Sequence, residues 1–181
     1  RDVRVSDKRI QGYRFFINKI WNAGKFVLAN IEGFDSGGEA PDPRELSLAD
    51  AWILTELNKT VEATRNALEE YRFNDAADKL YQFTWHLFCD WYIELSKPLL
   101  NTNAAPVTRC VLRHVLKSIL ALLHPIVPFV TEEFWQHLPG RDGLSIVIAE
   151  YPKVDHGLDF PDRAGEMQQI IEQGKRGAAR D

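Results

Sequence analysis

Six side chains near the start of the chain have types and spacing that could do chemistry. Lys8, Gln11, Phe15, Lys19, Asn22 and Phe26 fall within one narrow sector of a helix that turns about 100° per residue. Lysines meet phosphates, amides read base edges and exposed rings stack on splayed bases, and unpaired RNA loops are held by this combination. On the opposite side, Ile10, Tyr13, Ile17, Ile20, Trp21, Gly24, Val27, Leu28 and Ile31 repeat at three- and four-residue spacing. They predict the core-facing stripe. Two phenylalanines on the side that a bundle leaves wet are the unusual element. They also admit a packing role, beneath an acidic loop over 32–47.

Charge bears on the same choice. The chain of 181 residues carries a formal net charge of −4, which argues against general nucleic-acid binding. Its distribution is uneven. Arg1, Arg4, Lys8, Arg9, Arg14, Lys19 and Lys25 face only Asp2 and Asp7 within residues 1–25, a local surplus of five positive charges. An RNA surface is therefore expected to be local, although a basic solvated helix face fits the charge equally well.

Other constellations are weaker. Asp90 and Glu94 stand one helical turn apart, as do Glu133 and His137. Neither pair belongs to a Glu-x-x-His or His-Glu-x-x-His pattern, so no metal site is expected. Cys89 and Cys110 form no CxxC pair, which predicts neither zinc nor a disulfide framework and fits a reducing cytoplasm. No G-x-S-x-G, Gly-rich phosphate loop or dinucleotide fingerprint is present, so no catalytic residue is assigned. No apolar run reaches the roughly 20 residues that span a bilayer, and there is no basic-then-apolar leader. With Arg1 rather than Met at its start, the chain is expected to be a piece of a longer protein.

The elements that must position these residues are helices. The first is predicted over about Asp7–Ile31 with Ser6 as its cap. Gly33, Gly37, Gly38, Pro41 and Pro43 then predict an exposed loop. Ser47 with Asp50 three residues on predicts a capped start for a second helix over 48–71, with Leu54, Leu57, Val61, Thr64 and Leu68 as its stripe. Asn74 is expected to cap a third helix to about Leu99, with Ala77, Leu80, Thr84, Leu87, Trp91 and Leu95 inward and Tyr81, Trp85, Phe88 and Tyr92 widening that stripe. A turn over Asn101–Pro106 leads to a fourth helix carrying Val107, Val111, Val115 and Leu122. That helix breaks at His124-Pro125, where His124 is expected to donate to freed backbone carbonyls. A short helix Thr131–Leu138 follows, with Thr131 as cap and Glu132 and Glu133 near its positive end. Leu144–Ala149 is expected to be extended, and 164–181 weakly helical and then frayed. The fold class is all-α, an antiparallel helical bundle over 1–152 with a C-terminal extension over 153–181.

The stretch Leu122-Leu123-His124-Pro125-Ile126-Val127-Pro128-Phe129-Val130-Thr131-Glu132-Glu133-Phe134-Trp135 resembles the "LLHP…PF…TEE…W" signature of the anticodon-binding helical domain of class I aminoacyl-tRNA synthetases. Three further blocks occur in the same order. They are Arg4…Tyr13-Arg14-Phe15-Phe16-Ile17-Asn18-Lys19-Ile20-Trp21-Asn22-Ala23, Leu46-Ser47-Leu48-Ala49-Asp50…Trp52-Ile53-Leu54…Leu57-Asn58, and Phe88-Cys89-Asp90-Trp91-Tyr92…Glu94…Ser96-Lys97. The last is the most discriminating and is similar to the valyl branch. The isoleucyl and leucyl branches, and a helical protein-interaction module, are the alternatives.

The resemblance covers about 1–152. It implies a module that binds the anticodon stem-loop of tRNA-Val, with Arg4, Lys8, Lys19, Asn22 and Phe26 carried over as contacts and Phe15 added from the sector above. It further implies a parent ligase using ATP and magnesium, cytoplasmic and monomeric, with the remainder of the parent as partner in cis. The motifs that bind ATP in that family are missing here, so this stretch is expected to be inactive alone and to hold no cofactor. The sequence departs from the family where Lys8 and Lys25 stand in place of arginine and Phe15 in place of asparagine. Lysine supplies charge without a bidentate fork.

Overall fold

The computed structural model describes residues 7–34 and 41–178, with side chains over 11–34 and 41–176. Seven α-helices occur among the described residues: α1 (Asp7–Ile31), α2 (Leu48–Glu69), α3 (Phe73–Tyr81), α4 (Ile93–Leu99), α5 (Ala105–Leu123), α6 (Pro128–His137) and α7 (Pro161–Ala178). A π-helical segment, Gln82–Tyr92, joins α3 to α4 without a break. Short 3-10 turns sit at Ile146–Ile148 and His156–Leu158. No strand occurs among the described residues.

Local chemistry explains most of the boundaries. The Ser47 hydroxyl accepts from the Asp50 amide, and the Asp50 carboxylate accepts from the Ser47 amide. This capping box satisfies two of the donors that a helix start leaves open. α2 ends in a Schellman turn: the Arg72 amide donates to Ala67 O and the Tyr71 amide to Leu68 O. Tyr71 takes the left-handed position (φ 57°) that glycine usually fills.

Asp50 does more than cap. It is fully buried, and its carboxylate also accepts from Tyr92 OH at 2.6 Å and Thr108 Oγ1 at 3.3 Å. One carboxylate therefore joins the start of α2, the end of the π segment and α5. Burial and the neighbouring Asp50 charge push the Tyr92 phenol well above its usual pKa, so it remains a hydrogen-bond donor.

Several expectations are corrected. In the third helical stripe Leu80 and Thr84 are buried as expected, Ala76 is buried in place of Ala77, and after Thr84 the stripe is one residue out of step. Phe88, Tyr92 and Ser96 are buried, while Leu87, Trp91 and Leu95 are only partly so. The π segment is the cause, because an i→i+5 ladder takes more than 3.6 residues per turn. Leu80, Thr84, Phe88, Tyr92 and Ser96, each four apart, thus stay on one face. Asn74 is no cap: α3 starts at Phe73 with no side-chain cap.

α6 begins at Pro128, three residues before the expected start, since proline at a first helical position loses no needed N–H. Thr131 lies inside that helix and donates back to Val127 O or Pro128 O. His124 Nδ1 lies within hydrogen-bond distance of Thr131 Oγ1, at 2.8 Å, rather than of a carbonyl. The segment at 144–149 is not extended throughout but carries a 3-10 turn at Ile146–Ile148. There Ser145 caps Val147 N, and Glu132 accepts from Ser145 Oγ and Ile146 N.

The expected core stripe of α1 is rotated. Phe16, Ile20, Ala23, Val27 and Ile31 are buried, whereas Tyr13 is 66% exposed, Ile17 38% and Trp21 43%. The inward direction lies about 60° from the predicted one at the standard helical pitch. Two neighbours set this azimuth. On one flank Phe16 packs against Tyr81 and Trp85 of the third rod, at 5.1 and 6.3 Å between ring centroids. On the other, α6 comes so close at Gly24 that an added Cβ would lie 2.5 Å from the Phe134 ring, while Trp21 meets that ring edge-on at 5.0 Å.

The C-terminal stretch is more regular than expected. α7 is helical to Ala178 and packs along α2, burying Ala164, Met167 and Ile171 in the common core cluster. Asn58 clasps the approach to it, exchanging hydrogen bonds with Asp155 and donating to Leu158 O.

Two substitutions test this packing. Tyr92→Phe leaves Asp50 one donor short in a dry site and should cost about 1–3 kcal/mol, read as a lower urea midpoint at unchanged slope. Gly24→Ala forces Phe134 out of place and should cost about 1–3 kcal/mol by overpacking. A Gly24→Ala thermal midpoint equal to that of the parent chain would show that α1 and α6 do not approach as described.

Candidate nucleic-acid interface

Of the six expected contact residues, Arg4 and the side chain of Lys8 lie outside the described residues. The other four are on one side of α1. Phe15 is 61% exposed and Asn22 is exposed. Lys19 and Phe26 are half-buried, with Phe26 packed against the core. The rotation of α1 accounts for the split. Their sector is a flank rather than the far side, so its inner edge touches the bundle while its outer edge stays wet. Phe15 shares a shallow recess of about 300 Å³ with Gln11, Arg14 and Asn18.

Lys19 is not a free cation. Its ammonium donates to Asp90 Oδ1 at 2.6 Å and lies 5.4 Å over the Trp85 ring. That hydrogen bond, more than the opposing effect of burial, holds the Lys19 pKa above the usual lysine value. His86 Nδ1 stands 3.2 Å from Asp90 Oδ2. Beneath them Tyr81 and Trp85 stack at 5.5 Å, with Phe16 against both. The third rod thus brings Trp85, His86 and Asp90 to the margin of the sector. From spacing alone that rod reads as core packing, with Asp90 and Glu94 as a conceivable metal or acid/base pair. The available signal was the spacing of His86 and Asp90, one turn apart with a tryptophan beside them. Which residue they would meet could not be read from spacing.

Among the described residues, no group of three or more His, Cys, Asp or Glu side chains is placed to hold a metal ion. No helix there is long and apolar enough to cross a membrane. An exposed ring, an exposed amide and a pinned ammonium beside a carboxylate can grip an unpaired nucleic-acid segment by stacking and hydrogen bonding.

The profile of the family described as "Anticodon-binding domain of tRNA ligase" matches residues 50–176. The chain belongs to that family. Valine–tRNA ligases from Geobacter sulfurreducens and Syntrophotalea carbinolica are 51% and 50% identical to it over 176 residues. Each alignment takes in 95% of this chain and 20% of the relative, so the chain spans about a fifth of the length of these proteins. The fold of this anticodon-binding domain also resembles one chain of a LeuRS–tRNA–LeuAMS ternary complex from Agrobacterium radiobacter K84. That likeness has a TM-score of 0.64 at 18% identity, over 86% of this chain and 18% of the other.

The Lys19–Asp90 pair is exposed enough to be weak as a fold element, with both side chains at 35%. Surface pairs of this kind contribute about 0–1 kcal/mol. Lys19→Ala should therefore shift the unfolding midpoint only slightly. A loss above about 2 kcal/mol in urea titration would mark the pair as structural, since it lies outside that range.

Proposed function

We propose that this chain is the anticodon stem-loop binding module of a valine–tRNA ligase. It would position tRNA-Val while another part of the parent joins valine to the tRNA using ATP and magnesium. The identity to valine–tRNA ligases supports the valine branch over the isoleucine and leucine ones. What carries the placement of the site is the geometry of α1, which leaves Phe15 and Asn22 open beside the pinned Lys19.

In this reading Arg4, Lys8, Phe15, Lys19, Asn22 and Phe26 are the contact residues. Phe15 is the stacking ring, Lys8 and Arg4 supply charge, and Phe26 shapes the inner edge. A parent that is cytoplasmic and monomeric, with its remainder in contact with this module in cis, belongs to the same reading. So does the division at residue 152, with 153–181 as an extension that braces the bundle. α7 lies along α2, whereas α1 packs on α5, α6 and the π segment.

Titration of the chain with the anticodon stem-loop of a valine tRNA tests this. Saturable binding that weakens steeply with salt is expected. Phe15→Ala should reduce affinity about 5- to 150-fold, the loss of one base–aromatic stack, without changing the circular dichroism. No saturable binding at high micromolar protein and low salt would favour a helical protein-interaction module instead.

A further inference from the structure

A carboxylate is an odd neighbour for a lysine whose task is to attract phosphate. Asp90 comes from a segment 71 residues away in sequence, yet its Oδ1 sits 2.6 Å from Lys19 Nζ. An acid at this place opposes the approach of a polyanion and neutralises the cation that would draw it in. As a brace the pair is worth little, because both partners are 35% exposed. The helices it joins are already tied by Phe16 against Tyr81 and Trp85. Neither grip on the RNA backbone nor stability of the bundle accounts for Asp90.

Recognition of a base edge does. A lysine has three donors and a carboxylate about four acceptor positions. Lys19 uses one donor on Asp90, and Asp90 accepts from Lys19 and His86. Both retain capacity, and both side chains are partly open to solvent. A fixed donor next to a fixed acceptor is the complement of a base that presents a ring nitrogen or keto oxygen beside an amine. Carboxylates read bases by accepting from such amines. The geometry also holds the pair ready, since Lys19 is pinned over Trp85 at 5.4 Å and Asp90 is held by His86, so little side-chain freedom remains to be lost on binding. Phe15, one turn before Lys19 on the same side of α1, is the exposed ring nearest in helical register. The rod that carries Asp90 is π-helical there, a geometry frequent at functional sites.

We propose that Asp90 is a specificity-determining residue of the site, and that with Lys19 it forms a donor–acceptor pair reading an unpaired loop base that bears an exocyclic amine. The inference rests on the anticodon-binding reading above and adds the residue that selects within the loop. Removing Asp90 then has two opposite effects. Discrimination falls because the amine loses its acceptor, while general affinity for RNA holds or rises because Lys19 is released to meet phosphate.

The test uses the chain and its Asp90→Ala and Asp90→Asn variants, each checked for folding by thermal unfolding. Binding is measured against the valine anticodon stem-loop and against stem-loops in which each amine-bearing loop base is singly replaced by uridine. The parent chain should prefer the natural base by about tenfold at one position at least, the scale of one good edge contact. Asp90→Ala should cut that preference to about twofold or less without weakening binding to the replaced loops. Its salt dependence should steepen by close to one phosphate contact. Asp90→Asn keeps an acceptor and the shape, so it should retain part of the preference and stands in if the alanine variant fails to fold. An unchanged preference in both variants would overturn the inference while leaving the stem-loop reading intact. Equal weakening on every loop would assign Asp90 to packing and overturn it too. If the parent chain binds no stem-loop saturably, the anticodon reading fails and this one falls with it.

Discussion

The buried Asp50 carboxylate is the constraint on which the rest of the arrangement depends. A charge removed from water survives only where donors replace its hydration. Here they come from the Ser47 amide and hydroxyl, Tyr92 OH and Thr108 Oγ1. Those groups belong to three different rods. Satisfying the carboxylate therefore fixes the start of α2, the rotation of the π segment and the height of α5 in one step. An apolar contact in the same place would tolerate sliding. A carboxylate with directional donors does not.

From Tyr92 the constraint passes directly to the proposed RNA edge. Tyr92 closes the π segment and Asp90 lies two residues before it. Once the phenol is held to Asp50, the carboxylate of Asp90 faces α1, where Lys19 meets it. The wide π turn keeps Leu80, Thr84, Phe88, Tyr92 and Ser96 buried in one row and brings Trp85, His86 and Asp90 together at its side. The core and the margin of the site are thus two faces of one helical register.

α1 is set from both flanks. Gly24 lets it approach Phe134 of α6, and Phe16 seats it against Tyr81 and Trp85. α6 is in turn held at the corner by the His124–Thr131 hydrogen bond and by Pro128 at its first turn. The residues of the family signature from Leu122 to Trp135 contribute no proposed contact. They set the azimuth of the helix that does.

Much of this was legible before any coordinates. Helix starts and stops are local events, so Ser47 with Asp50, the turn before α5 and the break at His124-Pro125 could be read from neighbouring residues alone. The all-α class and the family wording followed from the same short-range patterns. Where the reading slipped, more than one local answer was available. Thr131 and Pro128 both offer helix starts, and the backbone took the proline. On α1 the apolar band is wide, with Tyr13, Trp21, Phe16 and Phe26 all inside it or at its rim. Periodicity names such a band without choosing its centre, and Phe134 and Trp85 chose it. The step of one residue after Thr84 likewise needed the tie from Tyr92 to Asp50, 42 residues away. By itself the sequence determined which segments are helical and which family they belong to, because those depend on bonds within a few residues. Only the tertiary structure decided which side of α1 is wet and that Lys19 shares its edge with Asp90, because those depend on groups that meet only after the rods have packed.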